Sequence, residues 1–231
     1  MKMLTAIYGF TVLAASSAIP AQADSLADVF ARMDSTARAF KGMTAGLQET
    51  VYTALAKDTS TYGGDIKLKR GKPGDVRMLA NFTRPETERK SVAFDGNRGE
   101  VYYPKQKTEE VFDVSAKRDM VEQVMLLGFG GTSAELKSAY DISYVGAETI
   151  DGQSTAHLKL IPKTKDMLQH FRQVELWISN SLGVPLQQKF LTSSNGDFTE
   201  FTYPGLKLNS SLSDADLRLK PPKDVQIKKV G

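Results

Sequence analysis

The sequence predicts an α+β protein dominated by an antiparallel sheet of ten or more strands, curved into a partial barrel and closed by helices. Three observations carry this. Strand-like segments follow one another with only short turn-rich stretches between them, the rhythm of a meander and not of strand–helix alternation. Helical periodicity is confined to the start and the middle of the chain. A sheet of this many strands has to curl.

The first segment, MKMLTAIYGFTVLAASSAIPAQADS, has a lysine at position 2, an apolar stretch from Leu4 to Ile19 and a small-residue Ala21-Gln22-Ala23 site. That is the layout of a signal peptide cleaved after Ala23, leaving 24–231 as one domain. A retained anchor is the other reading, but the apolar stretch is short for a bilayer span. The chain has no cysteine, so neither a thioether-linked lipid nor a disulfide can form. A soluble exported chain, most simply in a bacterial periplasm, is expected. The formal charge of +3 falls by one unit with the leader, which is too little to attract nucleic acid.

After the leader, Leu26, Val29, Phe30, Met33, Ala37 and Phe40 recur at helical spacing, with Asp24 or Ser25 as cap and Gly42 as stop. Strands are expected near 44–56, 61–70, 75–82, 89–95, 99–105 and 107–114. Lys57 to Ser60 and Gly71 to Gly74 form two of the turns. Residues 116–127 and 132–139 read as two short helices around a Gly-Phe-Gly-Gly linker. Strands resume near 140–148, 153–162, 171–180, 184–194 and 197–203. A last short one is expected in DLRLKPP, followed by a basic tail.

Enzymatic motifs are missing. His157 and His170 lie thirteen apart with no H-E-x-x-H pattern, and no G-x-S-x-G elbow is present, so no metal and no nucleophile–base pair is expected. His157 alternates with Leu158 and Leu160 and falls on the opposite, wet face of its strand. GFGGTS has neither the lysine nor the preceding parallel strand of a phosphate loop, and reads as a hinge. Asp214-Ala215-Asp216 is too sparse for calcium.

Alternation raises two questions. VAFDGNRGEVYYP crowds apolar and aromatic residues on both sides of a glycine turn, more than a solvated hairpin needs. In DIKLKR, Ile66 and Leu68 share a face, and the period of two puts Arg70 on it too. A guanidinium there either snorkels to water at the strand end or meets backbone carbonyls of a covering helix. The same parity argument gathers Ile66, Leu68, Val76, Met78, Val92, Phe94, Leu158, Leu160, Leu176 and Ile178 onto one apolar concave face. In the mid-chain helices, Met120, Val121, Val124, Met125, Leu126, Leu127 and Phe129 are too apolar for a free helix. They form either permanent core or a lid hinged at Gly128, Gly130 and Gly131.

The order of these elements resembles the LolA-type periplasmic carriers and the wider outer-membrane lipoprotein-sorting group. The match runs through the amphipathic first helix, Lys69-Arg70 before a strand pair, and Val92-Ala93-Phe94-Asp95-Gly96 leading to Val101-Tyr102-Tyr103-Pro104. The mid-chain helices and the closing Leu217 to Val225 stretch fit as well. The resemblance implies a half-open β-barrel of about ten or eleven strands, with a helical lid (Val121, Val124, Met125, Leu127, Phe129) over a cavity for acyl chains. It also implies that Arg70 hydrogen-bonds the closed lid. The implied protein is a monomer without enzymatic activity or cofactor. It takes acyl chains of lipoproteins or lipids from an inner-membrane release complex and yields them to an outer-membrane acceptor. A lipid- or lipoprotein-sensing regulatory domain of the same fold is the alternative.

Overall fold

The computed structural model describes residues 25–71, 75–192 and 195–230. The leader at 1–23 and the Lys72-Pro73-Gly74 part of an expected turn lie outside them. Helix α1 (Leu26–Ala39) starts at Ser25, whose hydroxyl accepts from the Asp28 amide while the Asp28 carboxylate accepts from the Ser25 amide. That reciprocal pair satisfies two of the amides a helix start leaves open. Val29, Phe30, Met33 and Ala37 form its buried stripe.

Six strands follow: β1 (Gly42–Thr53), β2 (Asp58–Arg70), β3 (Val76–Arg84), β4 (Lys90–Asp95), β5 (Arg98–Tyr103) and β6 (Thr108–Asp113). The VAFDGNRGEVYYP hairpin closes through Gly96-Asn97. Gly96 has φ +61° at the first central position, as a type II′ turn requires. Helices α2 (Arg118–Met125) and α3 (Ser133–Ala139) interrupt the meander. It resumes with β7 (Tyr140–Ile150), β8 (Gln153–Pro162), β9 (Gln173–Ser179), β10 (Pro185–Leu191) and β11 (Phe198–Thr202). Helix α4 (Lys165–His170), capped by the Thr164 hydroxyl, fills what the sequence reads as a plain connection and takes in His170.

With the tail strand β13 (Gln226–Val230) at one edge, the described strands form one sheet whose main path runs β13-β6-β5-β4-β3-β2-β1-β11-β10-β9-β8-β7. It is strongly curled and not closed. Its count is thirteen, against the ten or eleven expected, because β12 (Lys207–Leu208) pairs with β1 and the tail forms β13 (Gln226–Val230). That tail lies parallel to β6, the one parallel pairing among the described strands. DLRLKPP is not a strand. Ser213 and Asp216 cap a 3-10 turn at Asp214–Leu217, and Leu217 and Leu219 pack on Leu79 and Ala93 on the outer face. Their alternation looks strand-like because both leucines lean on the sheet without pairing to it. Asp214 fastens this segment, 2.8 Å from Lys69 and 2.8 Å from Arg77.

Two apolar clusters line the concave side. One joins α1, through Val29, Phe30 and Met33, to Leu158, Leu160, Leu176 and Ile178 of β8 and β9. The other joins Phe40, Met43, Leu47, Ile66, Leu68, Val76 and Phe82 to Leu126, Phe129 and Tyr203.

Candidate functional site

The second cluster is incompletely filled. A void of about 280 Å³ lies between β1–β4 and the segment from α2 to Phe129. Ile66, Leu68, Met78, Ala80, Phe82 and Val92 form its floor, and Val124, Met125 and Phe129 its roof. Phe190, Phe201 and Tyr203 close one side. The floor follows from strand parity: Ile66 and Leu68, then Met78, Ala80 and Phe82, then Val92 alternate onto the inner face, with Lys67, Arg77, Asn81 and Ser91 on the outer one.

The roof is thin. Helix α2 has eight residues, no fully buried side chain and no side-chain cap. The chain then turns through Leu126, Leu127, Phe129 and three glycines, all buried but Gly131, before Thr132 and Glu135 cap α3 reciprocally. Gly130 has φ +82°, and a β-carbon there would sit 2.6 Å from Phe40 Cδ1. Only glycine lets this turn approach closely enough for its carbonyl to meet the sheet.

Two side chains from the concave face hold the turn. Arg70 Nη1 donates to the Gly130 carbonyl. Gln188 Nε2 donates to the Leu127 carbonyl at 2.6 Å, while its Oε1 accepts from the Tyr203 hydroxyl at 2.6 Å. Burial pushes the Tyr203 phenol far up, so that hydroxyl stays a donor. Phe129 meets Tyr203 edge-on, with ring centroids 5.1 Å apart. Beyond the turn, the Ser133 amide and hydroxyl both donate to Asp34 of α1, at 2.6 and 2.8 Å. Behind Leu126 and Leu127 lies a second, more polar cleft of about 340 Å³, bordered by Arg70, Glu122, Glu135 and Ser138. The turn thus has empty volume on both sides.

The ten side chains expected around one void divide three ways. Ile66, Leu68, Met78 and Val92 line it. Val76 and Phe94 are buried beside it without lining it. Leu158, Leu160, Leu176 and Ile178 share the concave side, but α1 packs onto them and leaves each 0% exposed, so they are solid core. Of the expected roof residues, Val124, Met125 and Phe129 face the void, Leu127 borders the polar cleft and Val121 is half-buried on α2. Gln188 belongs to no motif, although Leu186, Gln188 and Phe190 alternate onto the buried face and flag it as Ile66, Leu68 and Arg70 flag the arginine.

His157 is not on a wet face. It sits on the outer side as parity requires, but its cross-strand partner Trp177 stacks on it at 4.3 Å and leaves it 8% exposed. Glu148 bridges both rings, 2.7 Å from His157 Nδ1 and 2.7 Å from Trp177 Nε1. The indole bond first, then the imidazole, hold the Glu148 carboxyl below its usual range. His157 Nε2 lies 3.3 Å from Glu175 without hydrogen-bond alignment. Each contact is within the sheet's own outer face. No group of His, Asp and Glu among the described residues is arranged to hold a metal ion, and none of their helices is long and apolar enough to cross a membrane.

No protein-family model and no curated relative matches this sequence. Solved structures do match. An uncharacterised conserved protein from Thermus thermophilus is 13% identical over 90% of this chain and all of its own, with a TM-score of 0.56. MucB is 16% identical over 87% of this chain and 64% of its own, with a TM-score of 0.52. The Mycobacterium tuberculosis lipoprotein LppX is 12% identical over 82% of this chain and 99% of its own, with a TM-score of 0.50. Structures described as a LolA superfamily protein from Nitrosomonas europaea and as an outer-membrane lipoprotein-sorting domain from Vibrio parahaemolyticus match at 0.42 and 0.46. At these identities the likeness is one of fold alone.

Proposed function

We propose that this protein is a periplasmic carrier that shelters an acyl chain of a lipoprotein or lipid in the void above β1–β4 and delivers it from the inner to the outer membrane. The observation that carries the reading is an apolar void roofed by a segment with space on both sides and two polar ties to the sheet. Magnitudes favour reversible loading. If a methylene takes about the 30 Å³ of a liquid water, the void holds about nine. At ~0.8 kcal/mol each, these gain about 7 kcal/mol before association costs. Displacing the roof gives up the Gln188 bond, worth roughly 0.5–1.5 kcal/mol, and the Arg70 bond, roughly 1.5–3 kcal/mol because one partner is charged. The hydrocarbon gain exceeds the two bonds by about 2.5–5 kcal/mol before association costs, so loading and release are closely balanced.

Two measurements test this. Native mass spectrometry of protein taken from its own periplasm should find an acylated molecule bound. Transfer of labelled lipid to acceptor vesicles should then proceed, and Arg70→Leu should bind lipid more tightly and release it several-fold more slowly. Arg70→Lys should recover little, since an ammonium lacks the planar fork. Equal retention by wild type and Arg70→Leu would make Arg70 merely structural. Binding without hand-over by the wild type would make the protein a lipid-sensing domain instead.

A further inference from the structure

The carrier reading leaves open what kind of head group the cargo bears, and one edge of the void bears on that. Phe82 of β3 stands opposite Lys90, the first residue of β4, and both face the void. Lys90 is half-buried. Its ammonium lies 4.8 Å from the centre of the Phe82 ring and 5.5 Å from that of Tyr62, so the stem is fixed against aromatic surface. Lys90 also borders a separate pocket of about 190 Å³, together with Tyr62, Thr87, Glu88, Arg89 and Gln106. It stands where hydrocarbon surface gives way to polar surface. Among the described residues Lys90 forms no ion pair. The acid that acts on the same void, Glu49, is pushed towards its neutral form by burial, against the pull of Lys90. A half-buried cation held against two aromatic rings, at the polar end of an apolar void, complements an anion carried on a hydrocarbon tail.

We infer that the void takes a single-chain amphiphile with an anionic head, a carboxylate or a phosphate, and that Lys90 is the residue that recognises that head. The volume fits one chain of about nine methylenes by the same packing argument, and Arg89, Thr87 and Gln106 supply further donors around the head. This rests on the carrier reading and narrows its substrate class.

The test compares decanoate, decyl phosphate and decanol, equal in chain length, by calorimetric titration of the wild type, Lys90→Met and Lys90→Arg. Lys90→Met keeps the apolar stem and removes the charge. The wild type should bind at least one of the two anions about tenfold or more tighter than decanol, the scale of one charge-assisted hydrogen bond. Which anion leads decides between carboxylate and phosphate. Lys90→Met should bring that anion to the level of decanol without weakening decanol itself, and Lys90→Arg should keep most of the preference. Equal binding of all three by the wild type would overturn the inference, and so would a preference that survives Lys90→Met, while leaving the carrier reading intact. Failure of all three to bind the wild type would overturn the carrier reading as well.

Discussion

The concave side of the sheet has two halves built from the same alternating pattern, yet one is solid and the other hollow. Over β8 and β9, α1 sets Val29, Phe30 and Met33 onto Leu158, Leu160, Leu176 and Ile178, all but Phe30 at 1% exposure or less. Over β1–β4, α2 offers only Val124 and Met125, supplemented by Phe129 from the turn. The helices differ in kind. The first has fourteen residues and a capping box, and bonds to the sheet side through Thr36, whose hydroxyl donates to the Leu182 carbonyl at 2.8 Å. The second has eight residues and no side-chain cap. Strand alternation makes an apolar face; the covering helix decides whether that face becomes core or cavity.

The largest expected effects break this contrast directly. Leu158→Ala should cost about 2–5 kcal/mol, because the packed half relaxes little around a lost side chain. Ala156→Leu, in the same cluster at 0% exposure, should cost about 1–3 kcal/mol by overpacking. Ala80→Leu points its added methyl groups into the void and should be neutral or stabilising, while it reduces lipid capacity. Urea unfolding would check all three. A penalty for Ala80→Leu as large as that for Ala156→Leu would mean that the two halves are equally full.

A smaller, localised effect concerns the roof. Gln188→Leu leaves the Leu127 carbonyl and the Tyr203 hydroxyl without their partners. Each buried polar group left unpaired costs about 1–3 kcal/mol. Amides near 126–130 should exchange faster in this variant, with those of β8 and β9 little changed. Tyr203→Phe, which spares the bond to Leu127, should loosen the turn less. Uniform acceleration across the sheet would assign Gln188 to the core as a whole and not to the roof.

Much of this was readable in the sequence. The capped first helix, the order of eleven strands and the two mid-chain helices follow from periodicity and turn residues. Parity placed Arg70 on the apolar face, where it meets the Gly130 carbonyl. The same rule applied throughout would have flagged Glu49 after Met43, Ala45 and Leu47, Lys90 before Val92 and Phe94, and Gln188 between Leu186 and Phe190. A polar residue on an apolar face is the readable sign of a tie or a rim. What one strand's pattern does not contain is its neighbours. The burial of His157 depends on register with Trp177, the β6–β13 pairing joins segments more than a hundred residues apart, and the division between solid and hollow halves depends on where α1 lies.

The finest test of the contrast is a pair of carboxylates, one on each half. Glu148, on the outer face of the solid half, is held below its usual range first by the Trp177 indole and then by His157. Its contribution to stability is present above the ordinary carboxyl value and is lost as pH falls through its lowered one. Glu49, on the hollow half, is raised by burial, and Lys90 only partly offsets this. Its sign is opposite: the favourable contribution is fully present below the ordinary value of 4.5 and is lost as pH rises through the raised one. Glu49→Gln should therefore be more stable than the wild type at neutral pH, and the difference should vanish below about pH 4.5, where Glu49 is neutral in both folded and unfolded chains. Glu148→Gln should do the reverse, losing stability at neutral pH and little in acid. Thermal midpoints of the two variants across this pH range would show it. A Glu49→Gln difference that stays constant with pH would mean that the carboxyl is not desolvated and that water fills the polar end of the void.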